Sequence, residues 1–148
     1  QNICAFFKRH DDGDVTLDWP VFVQTRYRLL EEFVSNPHLE SRRVFRLLTY
    51  RINPVLVENI YSPHITDHDW YYIHCPGYDK ERYVVAVARQ SPAGIMMKQR
   101  FEQGARNAVS IHAMTAELTW KASQKDGMPV MAISDIVCWE FHNLNSGK

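Results

Sequence analysis

The sequence has no surplus of charge of either sign, because 17 Lys and Arg residues balance 17 Asp and Glu residues. Proteins that bind phosphate backbones usually carry a basic excess or a basic stripe, so we expect no nucleic-acid partner. Long hydrophobic runs are also absent. The longest, such as Val84 to Ala88, fall far short of the ~20 residues of a membrane span. We therefore expect no membrane partner.

Cysteine is scarce: Cys4, Cys75 and Cys138 are odd in number and widely spaced. The sequence thus lacks both a disulfide framework and a CxxC metal pair. This pattern predicts a reduced, cytoplasmic setting. Walker, GxGxxG and GxSxG motifs are missing as well, which disfavours nucleotide hydrolysis and dinucleotide redox chemistry.

What is present is an ordinary globular composition, with 45% hydrophobic and 23% charged residues in 148 positions. This length suits a single domain. Asp18 and Pro20 predict the start of a helix that continues to Asn36, after a turn-rich arm. The pattern further predicts a helix from Glu40 to Tyr50, a helical turn from Asn53 to Pro63, an extended segment from His64 to Ile73, and a helix from Asp79 to Gln90 for which a buried strand is the alternative.

The C-terminal part has a strand pattern. Ile95 to Phe101, Ala108 to Trp120 and Pro129 to Phe141 are each bounded by turn signals, and Asp126-Gly127 predicts a hairpin turn. Helices followed by an antiparallel meander predict an α+β fold, with helices packed on one face of a curved sheet.

Several phrases resemble the SnoaL-like branch of the nuclear transport factor 2-like superfamily. They are Leu56 to Asp69 with its Tyr-Ser-Pro and His-Asp elements, Cys75-Pro-Gly77 followed by 79–89, and Asp126 to Val130 followed by Ser134 to Phe141 and Gly147-Lys148. The resemblance spans about two-thirds of the chain. Residues 1–40 lie outside it and form an N-terminal extension with an extra helix.

The resemblance implies a cone-shaped fold in which a bent antiparallel sheet wraps helices around a deep apolar pocket, often in a homodimer. It also implies a further strand beyond Lys148. Family members include polyketide cyclases, isomerases, dehydratases and non-catalytic binders, so the fold does not select the chemistry. The catalytic members use no cofactor, and we expect none here, nor a metal ion.

Asp135 is the first catalytic candidate. Strand alternation predicts that it shares an apolar face with Met131, Ile133, Val137 and Trp139. Desolvation on such a face would raise the pKa of a carboxyl group toward neutrality and suit it to acid/base catalysis. The residue also resembles the acid/base aspartate of SnoaL-type cyclases. A structural Asp, bonded to a loop or a basic side chain, is the alternative.

Histidines supply the partners. His68 and His112 are candidate catalytic residues because imidazole titrates near neutral pH. Structural roles are the alternative for both, and a metal site at His64 and His68 lacks a third ligand. His64 and Asp69 are candidate substrate-binding residues, and the resemblance implies that His68 and Asp69 lie near the pocket mouth. An aromatic pocket for a flat ligand is predicted from Trp70, Tyr72, Trp120 and Trp139, although core packing would explain them too.

These features predict a cofactor-independent cyclase, isomerase or dehydratase that acts on a hydrophobic, carbonyl-bearing metabolite such as a polyketide or terpenoid intermediate. Two alternatives stay open. One is a non-catalytic ligand-binding or dimerisation module of the same fold. The other is a protein-interaction scaffold that uses the sheet and the helix from Trp19 to Val34.

Overall fold

The computed structural model describes residues 5–61, 63–78, 80–104 and 111–140. Its strands and helices follow in this order: β1 (Phe7–Arg9), β2 (Val15–Leu17), α1 (Trp19–Arg26), α2 (Leu29–Ser35), β3 (Arg42–Arg51), α3 (Pro54–Leu56) continued by a π-helical turn (Val57–Tyr61), β4 (His68–His74), β5 (Tyr83–Ala88), α4 (Pro92–Gly104), β6 (Ile111–Ala122) and β7 (Pro129–Trp139). The chain is therefore α+β, as predicted. None of the helices in these ranges is long and apolar enough to span a bilayer.

The N-terminal part agrees with the sequence except in two places. The Asp18 carboxylate caps α1 by accepting a hydrogen bond from the backbone N–H of Val21 at 3.2 Å. The helix predicted to reach Asn36 is instead interrupted at Arg28, whose backbone is left-handed with φ 52°. The predicted loose arm before it contains a hairpin, because β1 and β2 pair antiparallel from Phe7↔Leu17 to Arg9↔Val15.

The predicted helix from Glu40 to Tyr50 is wrong, since this segment forms the strand β3. Its buried residues are Phe45, Leu47 and Thr49, which follow the two-residue period of a strand. Val44 and Leu48, which suggested a helical face, lie on the opposite side of the strand. Apolar residues on both faces hid the alternation.

Two further predictions are wrong: a predicted helix is a strand, and a predicted strand is part of a helix. The segment predicted as a helix over 79–90 contains the strand β5, where Val85, Ala86 and Val87 are all fully buried. The segment predicted as a strand from Ile95 to Phe101 belongs to the helix α4. The Ser91 hydroxyl begins that helix by accepting a hydrogen bond from the N–H of Gly94 at 3.0 Å, and Ala93, Met97 and Phe101 are buried at helical spacing.

The five long strands close into a barrel in the order β3-β4-β5-β7-β6. All neighbours pair antiparallel except β5 and β7, which are parallel and share one registered pair, Ala86↔Ala132. Helix α4 connects β5 to β6, and β3 pairs with both β4 and β6. The curved sheet predicted from the sequence is thus present and is closed upon itself.

Side chains fill the barrel interior. A cluster of buried residues from all five strands includes Phe45, Ile73, Val87, Leu118 and Ile133. Helices α2 and α4 add side chains to it, and the ring of Phe33 in α2 stacks on Trp120 with centroids 5.7 Å apart. The interior is therefore a packed core, as is usual for small barrels.

Helix α1 replaces a missing strand at the edge of β3. Pairing with β4 begins at Leu48, so the backbone of Arg46 has no strand partner on that side. The buried side chain of Gln24 takes this place: its amide donates to the Arg46 carbonyl and its oxygen accepts from the Arg46 N–H, both at 2.7 Å. One side chain thereby satisfies both backbone groups.

Replacing Gln24 tests whether its side chain serves as the hydrogen-bond partner of the Arg46 backbone. Gln24→Ala leaves both backbone groups of Arg46 without their partner, so the free energy of unfolding should fall by about 2–4 kcal/mol. Gln99→Ala, at an exposed position of α4, is the matched control and should change stability by less than about 0.5 kcal/mol. Urea unfolding measures both. Equal effects would contradict a role for the Gln24 amide.

Candidate functional site

A groove opens where strands β5 and β7 part on the N-terminal side of their single registered pair. It has a volume of about 380 Å³ and is mainly apolar. We call it the aromatic groove. Its described lining residues come from α2, from the barrel strands other than β3, and from the connections β3–β4, β4–β5 and β6–β7: Val34, Tyr61, His64, Trp70, Arg82, Tyr83, Val84, Trp120, Met128, Pro129, Val130 and Met131.

Strand alternation places the aromatic rings of β4 at the groove. Tyr71 and Ile73 point into the barrel core, whereas Trp70 and Tyr72 lie on the other face with Ala86 and Ala132. The π-helical turn brings Tyr61 onto Trp70, with ring centroids 5.4 Å apart. Flat aromatic surfaces therefore form the walls on this side.

Two loops are joined at one end of the groove. The N–H of Gln124 donates to the carbonyl of His64 at 2.6 Å, and the His64 ring lies 3.0 Å from the Ser123 hydroxyl. The Thr66 hydroxyl also donates to the side-chain oxygen of Gln124 at 3.1 Å. The connection between β3 and β4 and the hairpin between β6 and β7 are thus held together.

The polar groups of the aromatic groove include one guanidinium. It belongs to Arg82 and lies over the rings of Tyr50 and Tyr72, 5.8 and 5.9 Å from their centroids. It forms no ion pair with a described carboxylate. The described residues of the groove lining include no Asp or Glu. The indole N–H groups of Trp70 and Trp120 are buried and have no acceptor among the described residues.

A second, wider groove of about 990 Å³ lies on the other side of Trp70 and is lined by charged residues. It contains Asp69, which accepts a hydrogen bond from Arg89 Nε at 2.9 Å. Its charged residues of both signs are Arg51, Glu58, Asp69, Arg89, Lys98 and Glu102. Asp69 is therefore in an exposed ion pair, apart from His64 and Trp120.

The predicted buried position of Asp135 is wrong. Asp135 is exposed on the outside of the barrel, opposite Glu117 of β6. Two register irregularities in the β6–β7 ladder cause this, since the partner sequence skips Ser134 and Val137. Each bulge reverses the alternation, so Met131, Ile133 and Ile136 are buried while Asp135 and Val137 are exposed. The argument for a desolvated carboxyl group at Asp135 no longer applies.

His112 and Trp139 form a separate cluster with α4. The His112 ring packs edge-on against Phe101, with centroids 4.8 Å apart, and lies 6.2 Å from Trp139. Arg100 lies over the Trp139 ring at 5.0 Å and is bonded to Glu140 at 3.0 Å. Neither predicted residue lines the aromatic groove.

His68 begins strand β4, and the segment before it forms turns instead of the extended conformation predicted from His64 onward. Its Nδ1 lies 2.6 Å from the carbonyl of Thr66. Burial lowers the pKa of His68, against the opposing effect of this hydrogen bond. Burial lowers the pKa of His112 too, with the nearby Arg100 acting in the same direction.

The structure brings together three predicted residues, namely His64, Trp70 and Trp120, with Tyr72 beside them. It separates the catalytic candidates: Asp135 lies opposite Glu117, His68 opposite Ala88 and His112 opposite Thr49 on different strands. Sequence reasoning missed Tyr61, Arg82 and Val130. No local motif marks these three residues. Predicting β3 as a strand would have been needed to bring their segments into one barrel.

The described residues contain no group of three or more His, Cys, Asp or Glu side chains arranged to hold a metal ion. In the same part of the chain, Cys75 is buried and Cys138 is half-buried. No protein-family model, curated protein or solved structure matches this chain.

Replacing Asp135 tests its reassignment to the surface. Asp135→Asn should change the free energy of unfolding by less than about 0.5 kcal/mol, because the residue is exposed and faces another carboxylate. Ile136→Ala, at the buried neighbouring position, should cost about 2–4 kcal/mol. Chemical unfolding of both variants compares the positions. A large loss in Asp135→Asn would contradict the described register.

The two half-buried histidines predict a pH dependence of definite sign. Burial lowers the pKa of both His68 and His112 from the ordinary value of 6.5, so the unfolded chain takes up protons first as the pH falls. The free energy of unfolding should therefore decrease as the pH falls through the range where the unfolded histidines become protonated, near 6.5. His68→Gln combined with His112→Gln should lose less stability than the wild type between roughly pH 7.5 and 5.5 by urea unfolding. Identical losses would contradict the lowered pKa values.

Proposed function

We propose that this chain is a non-catalytic ligand-binding module that holds a small, flat, apolar molecule in the aromatic groove. The observation that carries the proposal is the arrangement of Trp70, Trp120 and Tyr61 around one open groove on the barrel surface. Binding sites for small molecules are typically concave and apolar, with a few placed polar groups. His64 and Arg82 supply such groups here.

The barrel topology supports a binding role. Five strands in a closed Greek-key order, with a parallel closing pair, correspond to the OB-fold. Proteins of that fold bind ligands on the face of the second and third barrel strands, flanked by the loops between strands one and two and between strands four and five. In this chain those elements are β4, β5 and the two loops joined through His64 and Gln124. The aromatic groove lies among them.

The geometry favours binding over catalysis. Acid/base catalysis on a carbonyl-bearing substrate needs a proton acceptor and a donor that reach one substrate. The predicted carboxyl group, Asp135, lies outside the barrel, and the groove lining contains no Asp or Glu among the described residues. His64 is the one imidazole in this described lining, and it lies within hydrogen-bond distance of Ser123. The predicted cyclase or isomerase therefore has less support than the predicted binding module.

A small molecule is favoured over a nucleic acid, although OB-folds also bind oligonucleotides. Single strands bind through aromatic stacking combined with a groove of basic residues that follows the backbone. The groove offers aromatic rings, but Arg82 is the sole Lys or Arg among the lining residues that the structure describes, and the net charge of the chain is zero. Phosphate recognition would lack cations.

Membership of the SnoaL-like branch stays a prediction, and the proposal does not depend on it. The homodimer and the cytoplasmic setting likewise stay predictions. Each is compatible with a binding module, because a ligand groove on the outside of a barrel needs neither a second chain nor a particular compartment.

Binding of naphthamide, a flat neutral probe, tests the proposal by isothermal calorimetry. Tyr61→Ala removes the ring that stacks on Trp70 and should weaken binding about tenfold, the effect of losing one aromatic contact. Trp19→Ala is the control. Trp19 is 61% exposed and stacks on Phe22 of α1, outside the groove, so its loss should leave the affinity unchanged. Equal affinities in all three proteins would contradict the groove as the binding site.

A further inference from the structure

The charge and donor content of the aromatic groove restrict the kind of ligand that it can hold. Among its described lining residues, one carries a permanent charge, the guanidinium of Arg82, and none carries a carboxylate. The whole chain, by contrast, has 17 basic and 17 acidic residues. A cation beside apolar walls favours an anionic group on the ligand.

Arg82 is held in place by aromatic rings, and no carboxylate of the described residues forms an ion pair with it. Its guanidinium lies over the rings of Tyr50 and Tyr72, and cation–π contacts orient the group while leaving its edge N–H donors available. The neighbouring carboxylate, Glu81, is instead bonded to Arg28 at 2.5 Å. Glu81, a described acidic residue next to Arg82 in the sequence, therefore forms its ion pair with Arg28 and not with Arg82.

The indole groups of Trp70 and Trp120 supply apolar surface to the groove. The two residues are 5% and 7% exposed, and their N–H groups are buried away from the groove surface. Among the described lining residues, the recognition of a charged ligand group therefore depends on Arg82.

We propose that the ligand of the aromatic groove is an apolar aromatic carboxylate, whose ring packs between Tyr61, Trp70 and Val84 and whose carboxylate is bound by Arg82. This inference rests on the proposed binding function and specifies its ligand class. Arginine suits the role because its planar N–H fork matches the two oxygens of a carboxylate.

The experiment compares two probes of equal shape, naphthoate and naphthamide, by calorimetry at about pH 7.5, where the acid is fully ionised. Naphthoate should bind the wild-type chain about tenfold more tightly than the amide. Raising the salt concentration should reduce this advantage, because the charge of Arg82 is partly screened by solvent.

Two variants locate the effect. Arg82→Met keeps an apolar stem and removes the charge, so the two probes should bind it with equal affinity. Arg51→Met removes one charge from the neighbouring charged groove and should keep the preference for naphthoate. An advantage that persists in Arg82→Met would overturn the assignment of Arg82.

The remaining outcomes separate the two proposals. If both probes bind the wild type equally, the groove binds apolar ligands and the carboxylate inference is wrong. If neither probe binds a chain whose NMR spectrum is that of a folded protein, the proposed binding function is wrong and the inference is wrong with it.

Discussion

Strands β5 and β7 meet in one registered pair, Ala86 and Ala132, and this parallel contact closes the barrel. Both residues are fully buried. Their small side chains let the two strands approach each other closely. A longer ladder would have joined the strands along their whole length. Because the pairing is so short, the strands part at their N-terminal ends, and the aromatic groove forms in the gap. The closure of the core and the opening of the groove are thus two consequences of one contact.

Aromatic residues at the groove serve the fold and the site together. Trp120 stacks on Phe33 of α2 and also lines the groove, and Trp70 belongs to a buried cluster while its ring contacts Tyr61. Such double use makes the walls rigid, since the rings are held by the core behind them. The polar groups at the rim are held by the two joined loops and by the tyrosine rings under Arg82. A preorganised groove loses little entropy when a ligand binds.

Asp135 is exposed, although strand alternation predicted a buried position for it. Alternation correctly placed Met131 and Ile133 on the inner face of β7, but two bulges follow within four residues. Each bulge reverses the orientation of the side chains after it, and no residue type in 131–139 announces it. Ladder register depends on the partner strand β6, which is known only once the sheet has formed. The predicted burial of Asp135 was wrong for that reason, while Trp70 and Trp120 do line one groove.

The α+β class, the cap of α1 at Asp18 and the strands β6 and β7 could be predicted from the sequence, because each depends on local composition or on a period along one segment. The identities of β3, β5 and α4 were decided by tertiary structure. β3 and β5 carry apolar residues on both faces, so their sequences lack the two-residue alternation of apolar and polar residues that indicates a strand. Barrel closure brings Tyr61, Arg82 and Val130 to one groove. They lie in the π-helical turn, just before β5 and in β7, three segments that are distant in sequence and that meet because the adjoining strands share one curved sheet.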